Sequence, residues 1–126
     1  MPHLLLIDDD GLFREILAAA LVRAGHVVVQ AENGRQGAEF FRKAPADLVI
    51  TDLVMPDREG IEMIAALRRD WPTLPIIAMS GGSPVYLTLA ARLGAQRTLA
   101  KPFAPPLLLR AIDDLIAPGS EPPPVR

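Results

Sequence analysis

The chain has 126 residues, half of them apolar, which is enough for one domain around one sizeable core and hardly enough for two. It contains no cysteine, so disulfide frameworks, thiolate metal sites and cysteine-nucleophile chemistry are excluded, and a reducing compartment fits. A formal net charge of −2, with acidic and basic residues interspersed, leaves no basic stripe to follow a phosphate backbone, and direct nucleic-acid binding is not expected.

The N-terminus enters Leu4-Leu5-Leu6-Ile7-Asp8 without a basic region or cleavage site, and no apolar run approaches the roughly 20 residues that span a bilayer. The expectation is a soluble, cytoplasmic chain with no membrane partner. A first strand is predicted over residues 3–7, running into Asp8-Asp9-Asp10. A helix comes next, with Phe13, Ile16, Leu17, Ala20, Leu21 and Ala24 spaced by threes and fours, Asp10 as its N-cap and Gly25 as its stop. Then come a strand over 27–30, the most polar at its exit, and a helix over 35–43. A strand over 48–51 runs into Asp52, and a helix over 61–70 ends where Trp71 is expected to pack.

A strand over 76–79 runs into Ser80, and a helix over 84–93 has Ser83 as N-cap and Pro84 in its first turn. A strand over 97–100 leads into Lys101. The last helix begins near Pro105-Pro106, with Leu108, Ala111, Ile112 and Leu115 on one face and Asp113 and Asp114 off it. It is expected to end before Pro118-Gly119, giving a domain over 1–118 and an extended Pro-rich tail over 119–126. Strict alternation of short apolar runs with helical periods predicts an α/β fold of βαβ units around a parallel sheet, its strands rich in Val, Ile and Leu as burial on two faces requires. His3 and His26 have no partner at a recognisable spacing and are assigned to structure or surface, and the scattered methionines to core filling.

The polar residues at the strand exits carry the chemistry. All strand C-termini of a parallel sheet lie along one edge, and open α/β folds bind ligands there. Asp8, Asp9, Asp52, Ser80 and Lys101 are therefore expected to converge. Taken alone, an acidic triplet reads as a loop or cap and Ser80 as a turn residue; aligned on one edge, they read as a site. Three carboxylates against one ammonium form a negative, all-oxygen environment that favours Mg²⁺ or Mn²⁺ over Zn²⁺ or Cu²⁺. A carboxylate also serves as a nucleophile toward phosphorus when a metal and an ammonium neutralise the incoming charge, and Asp52 is placed for that.

The segments Leu5-Leu6-Ile7-Asp8-Asp9-Asp10, Thr51-Asp52-Leu53-Val54-Met55-Pro56-Asp57 with Gly60 shortly after, Met79-Ser80-Gly81, Gly94-Ala95 and Lys101-Pro102-Phe103 together resemble the response-regulator receiver domains of two-component signalling. The resemblance covers nearly the whole chain. It implies a flavodoxin-like, doubly wound five-stranded parallel sheet in the order 2-1-3-4-5, with helices on both faces. It implies Asp52 as phosphoacceptor, Asp8 and Asp9 as the acidic pair organising Mg²⁺, the Val54 carbonyl as a further ligand, and Ser80 and Lys101 as phosphoryl-binding groups. The implied partners are a sensor histidine kinase or histidine phosphotransfer protein upstream and an unidentified protein downstream. No output segment is recognised after the last helix, as expected of a stand-alone receiver or of a piece of a larger regulator.

One position departs from the family pattern. Three residues before the lysine, where many relatives carry Tyr or Phe, this chain has Thr98, too small to act as an aromatic rotamer switch; Gly81 and Gly82 offer mobility instead. Two rival readings share the motifs. In a haloacid dehalogenase-like phosphatase, Asp8 is the nucleophile and Asp10 the general acid, but the late acidic pair is then missing from a strand end and Asp52 has no role. The other rival is a receiver-like module that signals without phosphate.

Overall fold

Each apolar run becomes a strand and each longer periodic segment a helix, in the order β1 (His3–Ile7), α1 (Gly11–Arg23), β2 (Val27–Ala31), α2 (Gly34–Lys43), β3 (Leu48–Asp52), α3 (Glu59–Asp70), β4 (Ile76–Ser80), α4 (Pro84–Leu93), β5 (Arg97–Ala100) and α5 (Pro105–Ile116). This computed structural model describes residues 2–55 and 59–116, so the tail expected over 119–126 lies outside the described residues. The strands form one parallel sheet in the order β2-β1-β3-β4-β5, as the resemblance implies.

Strand alternation splits the apolar residues between two cores. Leu5, Ile7, Val49, Ile76 and Ala78 pack with Phe41, Met63, Ile64, Leu67 and Ala90 of α2, α3 and α4. Leu4, Leu6, Leu48, Ile50, Ile77 and Met79 pack with Leu17, Leu21, Leu108 and Ile112 of α1 and α5 on the other face. The sheet is thus covered on both sides, and its unpaired ends are its two rims.

The structure corrects several expectations. β2, β3 and β4 each run one residue further than their apolar character, because the ladder continues through the pairs Ile7 with Ala31, Asp52 with Met79, and Ser80 with Ala100. Asp52 and Ser80 are therefore the last residues of their strands. α2 starts at Gly34, with the Asn33 side chain accepting from the Gln36 N–H at 2.8 Å, and α3 starts at Glu59, ahead of its apolar period. Burial on two faces does not hold for β2, whose Val27 and Val29 are exposed because the strand is a sheet edge. On α1 the buried stripe is Leu17, Ala18, Ala20 and Leu21; Ile16 is exposed, and Ala18 joins the core in its stead.

The caps behave as expected. The Asp10 carboxylate accepts from the Phe13 N–H at 3.1 Å, Ser83 caps α4 with Pro84 in its first turn, and Gly25 lies just beyond α1 at a φ of 99°, a left-handed conformation that favours glycine. Trp71 packs its ring edge-on to Phe41 at 5.3 Å and remains 45% exposed. His3 is exposed and His26 buried. No helix among the described residues is long and apolar enough to cross a membrane.

Candidate functional site

Asp8 and Asp9 leave β1, Asp52 closes β3, Ser80 closes β4 and Lys101 leaves β5. With β1, β3, β4 and β5 adjacent and parallel, these residues share one rim. One carboxylate oxygen from each of Asp8, Asp9 and Asp52 lies within 4.8 Å of the others. Asp8 and Asp52 are buried, at 0% and 3% exposure, while Asp9 faces solvent. The Lys101 Nζ donates to Asp8 Oδ2 at 2.7 Å and stands 3.5 Å from Asp52 Oδ1.

Asp8 is the most tightly tied of the acids. Its Oδ1 accepts from the Asp10 N–H at 2.9 Å, its carbonyl accepts from Arg14 Nη1 at 2.6 Å, and its N–H donates to the Ala31 carbonyl at 3.1 Å. Asp52 is the reverse case. Its Oδ1 is shut off from solvent and accepts no hydrogen bond, the lysine contact being an ion pair only. Burial first, and then the Asp8 charge, push the Asp52 carboxyl up to about 6, against the lowering pull of Lys101 and of the Val54 backbone N–H. For Lys101, burial disfavours the ammonium, but the Asp8 hydrogen bond and the charges of Asp52 and Asp8 outweigh it and raise its pKa.

Ser80 is buried; its Oγ accepts from the Gly82 N–H at 3.1 Å, and its carbonyl accepts from the Lys101 N–H at 2.9 Å. Strands β4 and β5 are thus stitched together at the site. Val54 lies in the turn after β3 with its side chain exposed, beside the loop that holds Gly82. Asp10 stays outside the acidic cluster, its carboxylate committed to the cap of α1. A buried carboxylate oxygen accepting no hydrogen bond, within reach of two further carboxylates and with no sulfur or imidazole in the cluster, is a donor set that fits a hard divalent cation.

Three residues shape the site that strand-end reasoning did not single out for it. A Cβ on Gly60 would overlap the Asp52 carbonyl and come within 2.9 Å of the Leu53 Cα, so only glycine lets the start of α3 close on the end of β3. Phe13 and Phe103 flank Lys101: the ammonium is 4.6 Å from the Phe13 ring centroid, and the two rings meet edge to face at 5.7 Å. Gly60 and Phe103 belong to the family-like motifs, whereas Phe13 reads from periodicity only as a core residue.

Fold and site together define a doubly wound α/β protein with an acidic, lysine-flanked pocket at the C-terminal rim of its sheet. Comparison with known proteins gives the class its family: residues 4–113 match the model of the response regulator receiver domain, and the chain belongs to that family. It is 32% identical to the chemotaxis protein CheY of Halobacterium salinarum, over 90% of this chain and 96% of that protein. It is 35% identical to the transcriptional regulatory protein GlrR of Escherichia coli over 90% of this chain, and it spans only 26% of that protein. Among solved structures, the Vibrio cholerae chemotaxis protein CheY4 superposes with a TM-score of 0.84 at 30% identity, covering 92% of this chain and 99% of that one. The family is a signalling one, the receiver of two-component systems.

Proposed function

We propose that this receiver takes a phosphoryl group onto Asp52 from a phosphohistidine of a sensor kinase or histidine phosphotransfer protein, with Mg²⁺, or Mn²⁺ in its place, held by Asp8, Asp9, Asp52 and the Val54 carbonyl. The observation that carries this reading is the Asp52 Oδ1, buried and accepting no hydrogen bond, beside two acids and 3.5 Å from the Lys101 ammonium. When bound, the metal supplies charge neutralisation and orientation for the phosphoryl oxygens. The Asp52 carboxylate attacks phosphorus in line, the P–N bond to the donor imidazole breaks, and an acyl phosphate remains on Asp52. Lys101, 2.7 Å from Asp8 beforehand, turns its ammonium to the new dianion, and the Ser80 hydroxyl donates to a second phosphoryl oxygen.

Drawing Ser80 and Lys101 inward tightens the loop before Pro84 and biases the face formed by α4, β5 and α5, which a downstream protein reads. Because Thr98 stands on β5, paired with Ala78, the response runs through the Gly81-Gly82 loop rather than through an aromatic rotamer. The receiver unit is assigned to residues 1–118 and to the cytoplasm, where it acts as a phosphoacceptor that promotes its own transfer rather than as an enzyme with a separate substrate.

The test is intact-mass measurement after incubation with a small acyl phosphate donor, with and without Mg²⁺. The expected result is one phosphoryl adduct that needs Mg²⁺ and is absent from Asp52→Asn. An adduct retained in Asp52→Asn and lost in Asp8→Asn would favour the dehalogenase-like reading. No adduct from either the small donor or a cognate kinase would favour a module that signals without phosphate.

A further inference from the structure

We infer that Phe13, braced by Phe103, is a positioning residue for Lys101: its ring face holds the ammonium over the acidic pocket. The inference rests on Asp52 being the phosphoacceptor. A lysine is a point charge on a flexible four-carbon stem, so something beyond the stem must set where the ammonium stands. Here the Nζ is 4.6 Å from the Phe13 centroid, 2.7 Å from Asp8 Oδ2 and 3.5 Å from Asp52 Oδ1, with the lysine side chain only 18% exposed. The negative face of an aromatic ring attracts a cation, most strongly where water is excluded.

Phe13 is itself held at two points, main chain and ring. The Phe13 N–H donates to the Asp10 carboxylate at 3.1 Å, while the Asp10 N–H donates to Asp8 Oδ1 at 2.9 Å. Asp8, Asp10, Phe13 and Lys101 therefore form a closed circuit in which Asp8 grips both ends. Phe103, two residues after Lys101, meets the Phe13 ring edge to face at 5.7 Å and fixes its tilt. Such a contact is broad and non-directional compared with a hydrogen bond. The ammonium can move from Asp8 toward a phosphoryl group on Asp52 while staying over the ring.

An apolar residue of similar bulk fills the same space without the attraction, and this separates positioning from packing. The experiment compares phosphoryl uptake from a small acyl phosphate with Mg²⁺ in wild type, Phe13→Leu and Phe13→Tyr, alongside their thermal unfolding and the NMR shifts of the Lys101 ε-methylene protons. Lys43 is the other lysine of the chain, so Lys43→Arg assigns the signal. Phe13→Leu is expected to slow uptake about three- to thirtyfold, matching the strength of such contacts, and to remove the upfield ring shift at Lys101. Phe13→Tyr is expected to restore both, with all three proteins folded. Uptake at the wild-type rate in Phe13→Leu, a Phe13→Tyr variant as slow as Phe13→Leu, or a Lys101 shift unchanged by Phe13→Leu would overturn the inference alone. Absence of uptake in the wild type would instead overturn the phosphoacceptor reading, and the positioning role with it.

Discussion

A single carboxylate, Asp52, holds most of the tension in this molecule. Its pKa of about 6 lies above the ordinary 3.8, so the fold binds this proton more tightly than the unfolded chain does. Stability contributed at this residue is therefore greatest at low pH and is lost as pH rises toward 6, leaving the ionised group as a burden above it. In the metal-free protein the burden amounts to about 3 kcal/mol near neutral pH and about 1 kcal/mol near pH 4.5. Removing the charge with Asp52→Asn is expected to raise unfolding free energy by an amount of that order at about pH 7.5 and by clearly less at about pH 4.5. Denaturant titrations in the presence of a chelator measure both. An equal gain at the two pH values would show that the benefit is not electrostatic. Burial that strains Asp52 in isolation also leaves it ready for a cation, which would coordinate an Oδ1 that accepts no hydrogen bond.

Between the secondary-structure elements, two contacts hold the two opposite rims of the sheet. Gly60 lets α3 press on the last residue of β3, and the atoms that an added methyl would meet are the Asp52 carbonyl and Leu53 Cα, both backbone. Backbone cannot swing aside as a side chain can, so Gly60→Ala is expected to cost about 1–3 kcal/mol in denaturant unfolding and to slow phosphoryl uptake by moving Asp52. The second contact is Arg68 on α3, whose guanidinium donates to the carbonyls of Trp71, Pro72, Leu74 and Gly94 and to the Gln96 Oε1, at 2.7 to 3.1 Å. It ties the end of α3 to the end of α4, away from the phosphoacceptor. Arg68→Met is expected to cost about 2 kcal/mol of stability with uptake from a small donor almost unchanged.

The Arg68 contact also shows where sequence reading stops. Helices and strands were legible because apolar spacing reports directly which face is buried, and the caps Asp10, Ser83 and Gly25 because cap chemistry is local. Arg68 was not legible, because its acceptors are main-chain carbonyls that come together only through the fold. Ile16 misled for a related reason: its spacing suits the core stripe, but the sheet beneath α1 meets Ala18 instead.

For the molecule as a whole, the convergence of Asp8, Asp9, Asp52 and Lys101 was legible from parallel topology alone, since each stands at or just past the end of a strand. The strand order was not; spacing leaves several orders open, and the motifs supplied it. Nor was the uneven exposure of the acids, with Asp9 open to solvent and Asp8 and Asp52 closed, because burial depends on what covers the rim. The same topology places the Gly81-Gly82 loop between the site and α4. Binding of a phosphate mimic with Mg²⁺ is accordingly expected to shift backbone NMR signals in that loop and along α4, β5 and α5, with little change on α2. Shifts confined to the acidic pocket would mean that the pocket is filled without signalling outward.

The central assignment is chemical, and a chemical trap tests it most directly. An acyl phosphate is reduced by borohydride to the alcohol, which converts the modified aspartate to homoserine. After incubation with a small acyl phosphate donor and Mg²⁺, borohydride treatment and peptide mass mapping are expected to find homoserine at position 52 and aspartate retained at positions 8 and 9. Homoserine at position 8, or no reduced residue in a protein shown to carry phosphate, would contradict the account.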